Sequence, residues 1–228
     1  MLSLLPIAAL GFVLGTRHAT DPDHVVAVGT IVSRERTIRG AALVGILWGL
    51  GHTFTILLAG GAIVFFGLVV PLRVGLTMEL SVALMLIGLG AWSLVGVRRQ
   101  STDPHALEIS LGPLDRRFGG LGLYRAARPF VIGVVHGLAG SAAVALLVVA
   151  TIHDPLLSLA YLLVFGLGTI AGMMLITVAI ALPFAYTARS LRGVNRSLAL
   201  AAGLLSVGFG LFLVYQIGFV DGLFTVRG

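Results

Sequence analysis

Six predominantly apolar stretches of this chain, residues 2–32, 40–68, 75–97, 129–152, 156–186 and 197–219, each exceed the roughly 18 residues a bilayer-crossing helix requires, the first while broken. In lipid every backbone amide must be bonded inside its own segment, so the sequence predicts an all-α membrane protein with six transmembrane helices. A mean hydropathy of +1.07, with 58% hydrophobic and only 11% charged residues, lies far from the balance of a soluble domain. The N-terminus has no basic region of the kind that opens a cleaved signal, so Met1 to Leu14 are read as part of a permanent first helix.

The charges that remain are arranged by side. Every basic residue is arginine, and twelve of them lie in the segments 33–39, 98–128 and 187–196, against Arg73 and Arg227 on the other side and Arg17 within the first span. Arginine-rich loops stay in the cytoplasm, which predicts both termini outside and those three loops inside the cytoplasmic (inner) membrane. The net charge of +6 is therefore a signal of topology and not of a nucleic-acid partner. The chain has no cysteine, which excludes disulfides, thiolate metal sites and cysteine nucleophiles. No phosphate-binding loop signature occurs, so the chain carries no ATPase motor.

The two halves resemble each other. Phe12-Val-Leu-Gly15-Thr-Arg-His18 matches Phe130-Val-Ile-Gly133-Val-Val-His136, and Trp48-Gly-Leu-Gly51 matches Phe165-Gly-Leu-Gly168. Gly88-Leu-Gly90-Ala-Trp92 matches Gly208-Phe-Gly210-Leu-Phe212, at nearly the same offset. Ordered matches of this kind predict duplication of a three-helix unit: residues 1–97, a cytoplasmic loop 98–128, and residues 129–228. Three is odd, so the second copy enters the membrane inverted, an arrangement that places a substrate site where the repeats meet.

One segment breaks the apolar pattern. Arg17-His-Ala-Thr-Asp-Pro-Asp-His-Val25 packs two imidazoles, two carboxylates and a guanidinium into the first span. Ionisable groups at membrane depth mark function by default, and imidazole with carboxylate suits a divalent first-row metal. On an unbroken helix His18, Asp21 and His24 share one sector while Asp23 points elsewhere. Pro22 breaks that helix, which could turn Asp23 toward the same centre and free the His18 carbonyl as a further ligand. The plainer alternative is a cap cluster at the membrane edge, with Asp21 capping a helix that starts at Pro22. Arg17 reads as a counter-ion to the aspartates or as a snorkelling interface residue.

In the second span, Gly49-Leu-Gly-His52-Thr-Phe-Thr55 offers a histidine on a glycine-rich surface. His52 is either a further ligand or hydrogen-bonded to a neighbouring helix, with Thr53 and Thr55 as packing or supporting groups. His136 stands where the repeat places His18, while Ala139, Ser141 and Ala142 replace Asp21, Asp23 and His24. His136 and Ser141 are thus candidates for the permeation path, against a structural hydrogen bond. His105 and His153 sit in Asp-Pro loops and read as solvated.

Residues 17–25 resemble the signature of the nickel/cobalt transporter family, Arg-His-Ala-x-Asp-Ala-Asp-His-Ile. Leu50-Gly-His52-Thr-Phe-Thr is similar to that family's second motif. Pro22 stands where the signature has alanine, and His136-Gly-Leu-Ala-Gly-Ser-Ala-Ala stands where the family carries an acidic motif. Six spans in place of eight fit its shorter branch, the urease-accessory type of nickel permease. The resemblance implies that His18, Asp21, Asp23, His24 and His52 take part in metal selection and passage. It also implies Ni²⁺ or Co²⁺ as transported substrate, Ni²⁺ favoured, with no resident cofactor and no enzyme activity. A metal exporter, or a membrane-embedded metalloenzyme using the same His/Asp site, are the alternatives. A divalent ion and the lipid bilayer are the expected partners, and a homo-oligomer is left open.

Overall fold

The computed structural model describes residues 4–33, 35, 37–68, 70–102, 123–138, 148–149, 151–152 and 154–225. Among them every long regular element is helical: α1 (Leu4–His18), α2 (Pro22–Val32), α3 (Ile38–Phe66), α4 (Leu72–Thr102), α5 (Leu123–Gly137), α6 (Pro155–Ser190) and α7 (Arg192–Tyr215). A short π-helical turn, Gln216–Val220, continues α7. Four segments are long and apolar enough to cross a membrane: Ile38–Phe66, Leu72–Arg98, Pro155–Thr187 and Gly193–Val220. The chain is a multi-pass membrane protein by this pattern, and its surface agrees. Leu58, Phe66, Leu156 and Leu204 are exposed while four histidines are buried, the reverse of a soluble domain.

Local chemistry sets the helix ends. The Thr37 hydroxyl accepts from Gly40 N–H at 3.1 Å and caps α3, which closes on Gly67 at a left-handed φ of 62°. Asp154 caps α6, accepting from the amides of Leu156 and Leu157, with Pro155 at the first helical position. The expected first span is two helices, α1 and α2, parted at residues 19–21. Helix reaches into the expected loop 98–128 from both sides: α4 continues to Thr102 and α5 begins at Leu123. Hydropathy stops at the first charges, but arginine, glutamine and serine extend a helix readily.

The helices meet backbone to backbone. Along α1 and α6, a Cβ on Gly15 would strike the Phe165 carbonyl, and one on Gly168 the Phe12 carbonyl. Along α3 and α5, Gly133 lies against the Trp48 carbonyl and Gly51 against that of Phe130. Residues 12, 15, 165 and 168 thus make the contacts that 130, 133, 48 and 51 make in return. The antiparallel pair α4 and α7 repeats this reciprocity, with Gly90 on the Gly203 carbonyl and Gly210 on that of Ala83. Between them Ser206 Oγ donates to the Leu86 carbonyl at 2.8 Å. Helices α3 and α6 are antiparallel as well, Gly45 meeting Met173 while Gly166 meets Thr53. Short α2 packs against α4, α6 and α7.

Candidate metal centre

The break between α1 and α2 assembles the site. Past His18 the turn tightens: Thr20 N–H bonds the Arg17 carbonyl at 2.8 Å and Asp21 N–H bonds the His18 carbonyl at 3.1 Å. The His18 carbonyl therefore accepts one amide and keeps a second lone pair. Asp21 then turns extended (φ −58°, ψ 142°), as a residue before proline must, and Pro22 opens α2. The Asp21 side chain makes no cap bond. Its carboxylate lies 2.8 Å from His18 Nδ1, which turns the other ring nitrogen of His18 inward.

Four rings converge there. His18 Nε2 and His52 Nε2 are 2.9 Å apart, His52 arriving from the middle of α3. His24, in the first turn of α2, sits edge-on to both, its centroid 4.8 Å from that of His18 and 5.1 Å from that of His52. Its other face stacks on His136, near the end of α5, at 4.3 Å and 23°. Asp23 joins from α2: Oδ2 lies 2.8 Å from His136 Nε2, and Oδ1 lies 3.6 Å from His24 Nδ1. Trp48 and Phe165 wall the cluster, Trp48 against His136 at 5.5 Å and Phe165 against His18 at 5.6 Å.

Burial is nearly complete. His24, His52 and His136 are wholly buried and His18 is 7% exposed. Yet neither ring nitrogen of His24 has a hydrogen-bond partner, nor does Nδ1 of His52 or of His136. Each such orphan costs about 1–3 kcal/mol, and native interiors rarely tolerate them without a purpose. Lone pairs of buried imidazoles aimed at one another satisfy a cation. A first-row ion bound to imidazole at about 2.0–2.1 Å, with adjacent bonds near 90°, holds its donor atoms about 3 Å apart. The His18–His52 separation matches that spacing. Two donor sets could hold an ion, His18 with His24 and His52, and Asp23 with His24 and His136, each with its ligand atoms within 4.8 Å of one another.

The remaining candidates fall outside those sets. Arg17 is exposed and, among the described residues, makes no ion pair with either aspartate. The Thr53 hydroxyl donates to the Gly166 carbonyl at 3.2 Å and that of Thr55 to the Val134 carbonyl at 3.1 Å. Both tie α3 to the second half of the chain. Ser141 lies outside the described residues. The sequence reading used Trp48 only as a mark of the repeat, although its place one helical turn before His52 puts both on one face. It also left unpaired the contact between Asp23 and His136, which are far apart in sequence.

The pattern of relatives follows the site. The family model described as high-affinity nickel-transport protein matches residues 4–100, the part that contributes every donor except His136. The urease accessory protein UreH of Bacillus sp. (strain TB-90) is 34% identical over 98% of this chain and 96% of its own length. Two proteins of Arabidopsis thaliana, chloroplast proteins FOR GROWTH AND FERTILITY 1 and 2, are each 28% identical over 92% of the chain. The matched regions span 59% and 56% of their lengths. No solved structure matches. Full-length similarity at this level, over the helices that carry these histidines, shows that the chain belongs to the nickel/cobalt transporter family, in its shorter, urease-accessory branch.

Proposed function

We propose that this transporter is an importer that admits Ni²⁺ to the cytoplasm through the buried His/Asp centre, with Co²⁺ accepted by the same donors. The carrying observation is His24: a wholly buried imidazole with both nitrogens unpartnered, surrounded by other donors. In this reading His18, His24, His52 and Asp23 take the ion directly. Asp21 acts behind His18, fixing its tautomer and orientation as carboxylates commonly do for metal-binding histidines. His136 belongs to the path, and Arg17, Thr53, Thr55 and Ser141 support it.

Six spans in two inverted three-helix repeats, residues 1–97 and 129–228 about the loop 98–128, are the architecture we favour. Reciprocity of contacts supports it, because residue i meeting j while the equivalent of j meets the equivalent of i is what a two-fold relation produces. Equivalent helices α3 and α6, and likewise α4 and α7, run antiparallel, as inverted copies would. Arginine placement supports cytoplasmic loops 33–39, 98–128 and 187–196, with both termini outside the inner membrane. An inside-negative potential is worth about 2.3 kcal/mol per charge per 100 mV, and twice that for a divalent ion, enough to drive entry without a nucleotide.

Uptake of Ni²⁺ into proteoliposomes under an inside-negative potential tests this. Saturable entry by the wild type, abolished in His24→Ala, is the expected result. A wild type that shows no potential-dependent entry overturns import, and one that empties preloaded vesicles against the potential makes it an exporter.

A further inference from the structure

The buried donors fall into two overlapping sets and not one. His18, His24 and His52 form the first, and Asp23, His24 and His136 the second; the five do not gather into a single set. Bonds of about 2.1 Å put even opposite donors of one ion only about 4.2 Å apart, so a single ion cannot reach all five at once. The His52 and His136 rings stand 6.0 Å apart, with His24 between them. The first set is made wholly by the first half of the chain, whereas the second borrows a ring from the other half. His24 is common to both, and both of its ring nitrogens are unpartnered.

Resting on the reading that this centre is the transport site, we propose that it holds the ion in two successive positions sharing His24. Passage through the protein is then a transfer from the three-imidazole set to the set containing Asp23 and His136. His24 is a donor in both positions; because a neutral imidazole has a single lone pair, the transfer requires its ring proton to change nitrogen or the ring to turn. The two positions differ in chemistry, three neutral rings against two rings and a carboxylate. The second is completed only while α5 of one half and α2 of the other are docked, through the 2.8 Å contact of His136 with Asp23. Movement of the halves relative to each other therefore makes or unmakes one position and leaves the other intact.

The test uses purified full-length protein, with Co²⁺ as a visible-absorption probe of the donor set and Ni²⁺ for flux. His136→Asn keeps a hydrogen-bond donor for Asp23 and removes the ligand. Its Co²⁺ affinity and spectrum are expected to match the wild type, while Ni²⁺ entry into proteoliposomes falls at least about tenfold, the scale on which a lost metal contact is felt. His52→Asn is expected to weaken binding and shift the Co²⁺ spectrum, the ion withdrawing to the second position. Should His136→Asn fail to purify as a monodisperse protein, His136→Gln takes its place with the same expectation. Wild-type flux in the position-two variant overturns the proposal, because His136 would then be only a structural partner of Asp23. Loss of affinity equal to that of His52→Asn, with the same spectral shift, also overturns it, in favour of one composite site. A wild type with no saturable Co²⁺ or Ni²⁺ binding overturns the transport-site reading itself, a separate result.

Discussion

His24 and Asp21 occupy opposite ends of the same chemistry. The His24 ring makes no hydrogen bond and belongs to both donor sets, so His24→Ala should abolish measurable Ni²⁺ binding, read by equilibrium dialysis of the purified protein. Asp21 touches only His18, across 2.8 Å, and is half exposed. Asp21→Asn should therefore weaken binding by about 10–100-fold and leave some flux, as loss of an orienting carboxylate does. Proton competition sets a further expectation. Imidazole must be deprotonated to bind a metal. Ni²⁺ affinity should therefore fall reversibly on acidification, as protons compete for the ring nitrogens, read by equilibrium dialysis over a pH series. At this scale the sequence was informative wherever donors were neighbours, as in residues 17–25. It was blind to the pairing of Asp23 with His136, because 113 positions separate them and only tertiary packing joins them.

Helix boundaries are governed by simpler terms. Pro22, Asp154-Pro155 and Gly67 each punctuate the chain by a local rule, and each stands at an observed helix end. Asp154 caps two amides and lies outside the centre. Asp154→Ala should cost about 0.5–2 kcal/mol of stability, seen as a lower melting temperature in detergent, with Ni²⁺ affinity unchanged. Hydropathy located the four long helices well, since lipid demands a continuous apolar run. It could not show that helix runs on into the segment 98–128, because a helix does not stop where its apolar face stops. Nor could it have shown that α1 lies against α6 and α5 against α3. That pairing depends on glycines whose spacing looks ordinary until a partner backbone is placed beside them.

For the molecule as a whole, the lack of cysteine offers a direct test of orientation. Arg73 and Arg196 are exposed and, in the orientation argued above, lie on opposite sides. A membrane-impermeant thiol reagent applied to intact cells should label Arg73→Cys and spare Arg196→Cys until the membrane is opened. Labelling of Arg196→Cys alone would reverse the orientation, and with it the assignment of import. The close approaches described for Gly15, Gly51, Gly133 and Gly168 carry a genetic consequence. In each case the first atom that a new methyl group would strike is a main-chain carbonyl oxygen. Every residue has the same oxygen, so no exchange of the facing amino acid can make room. Inactivating alanines at these four positions should yield only true revertants in a selection for regained nickel uptake. Gly166, whose nearest neighbour is the Thr53 methyl, should instead be rescued by Thr53→Ser.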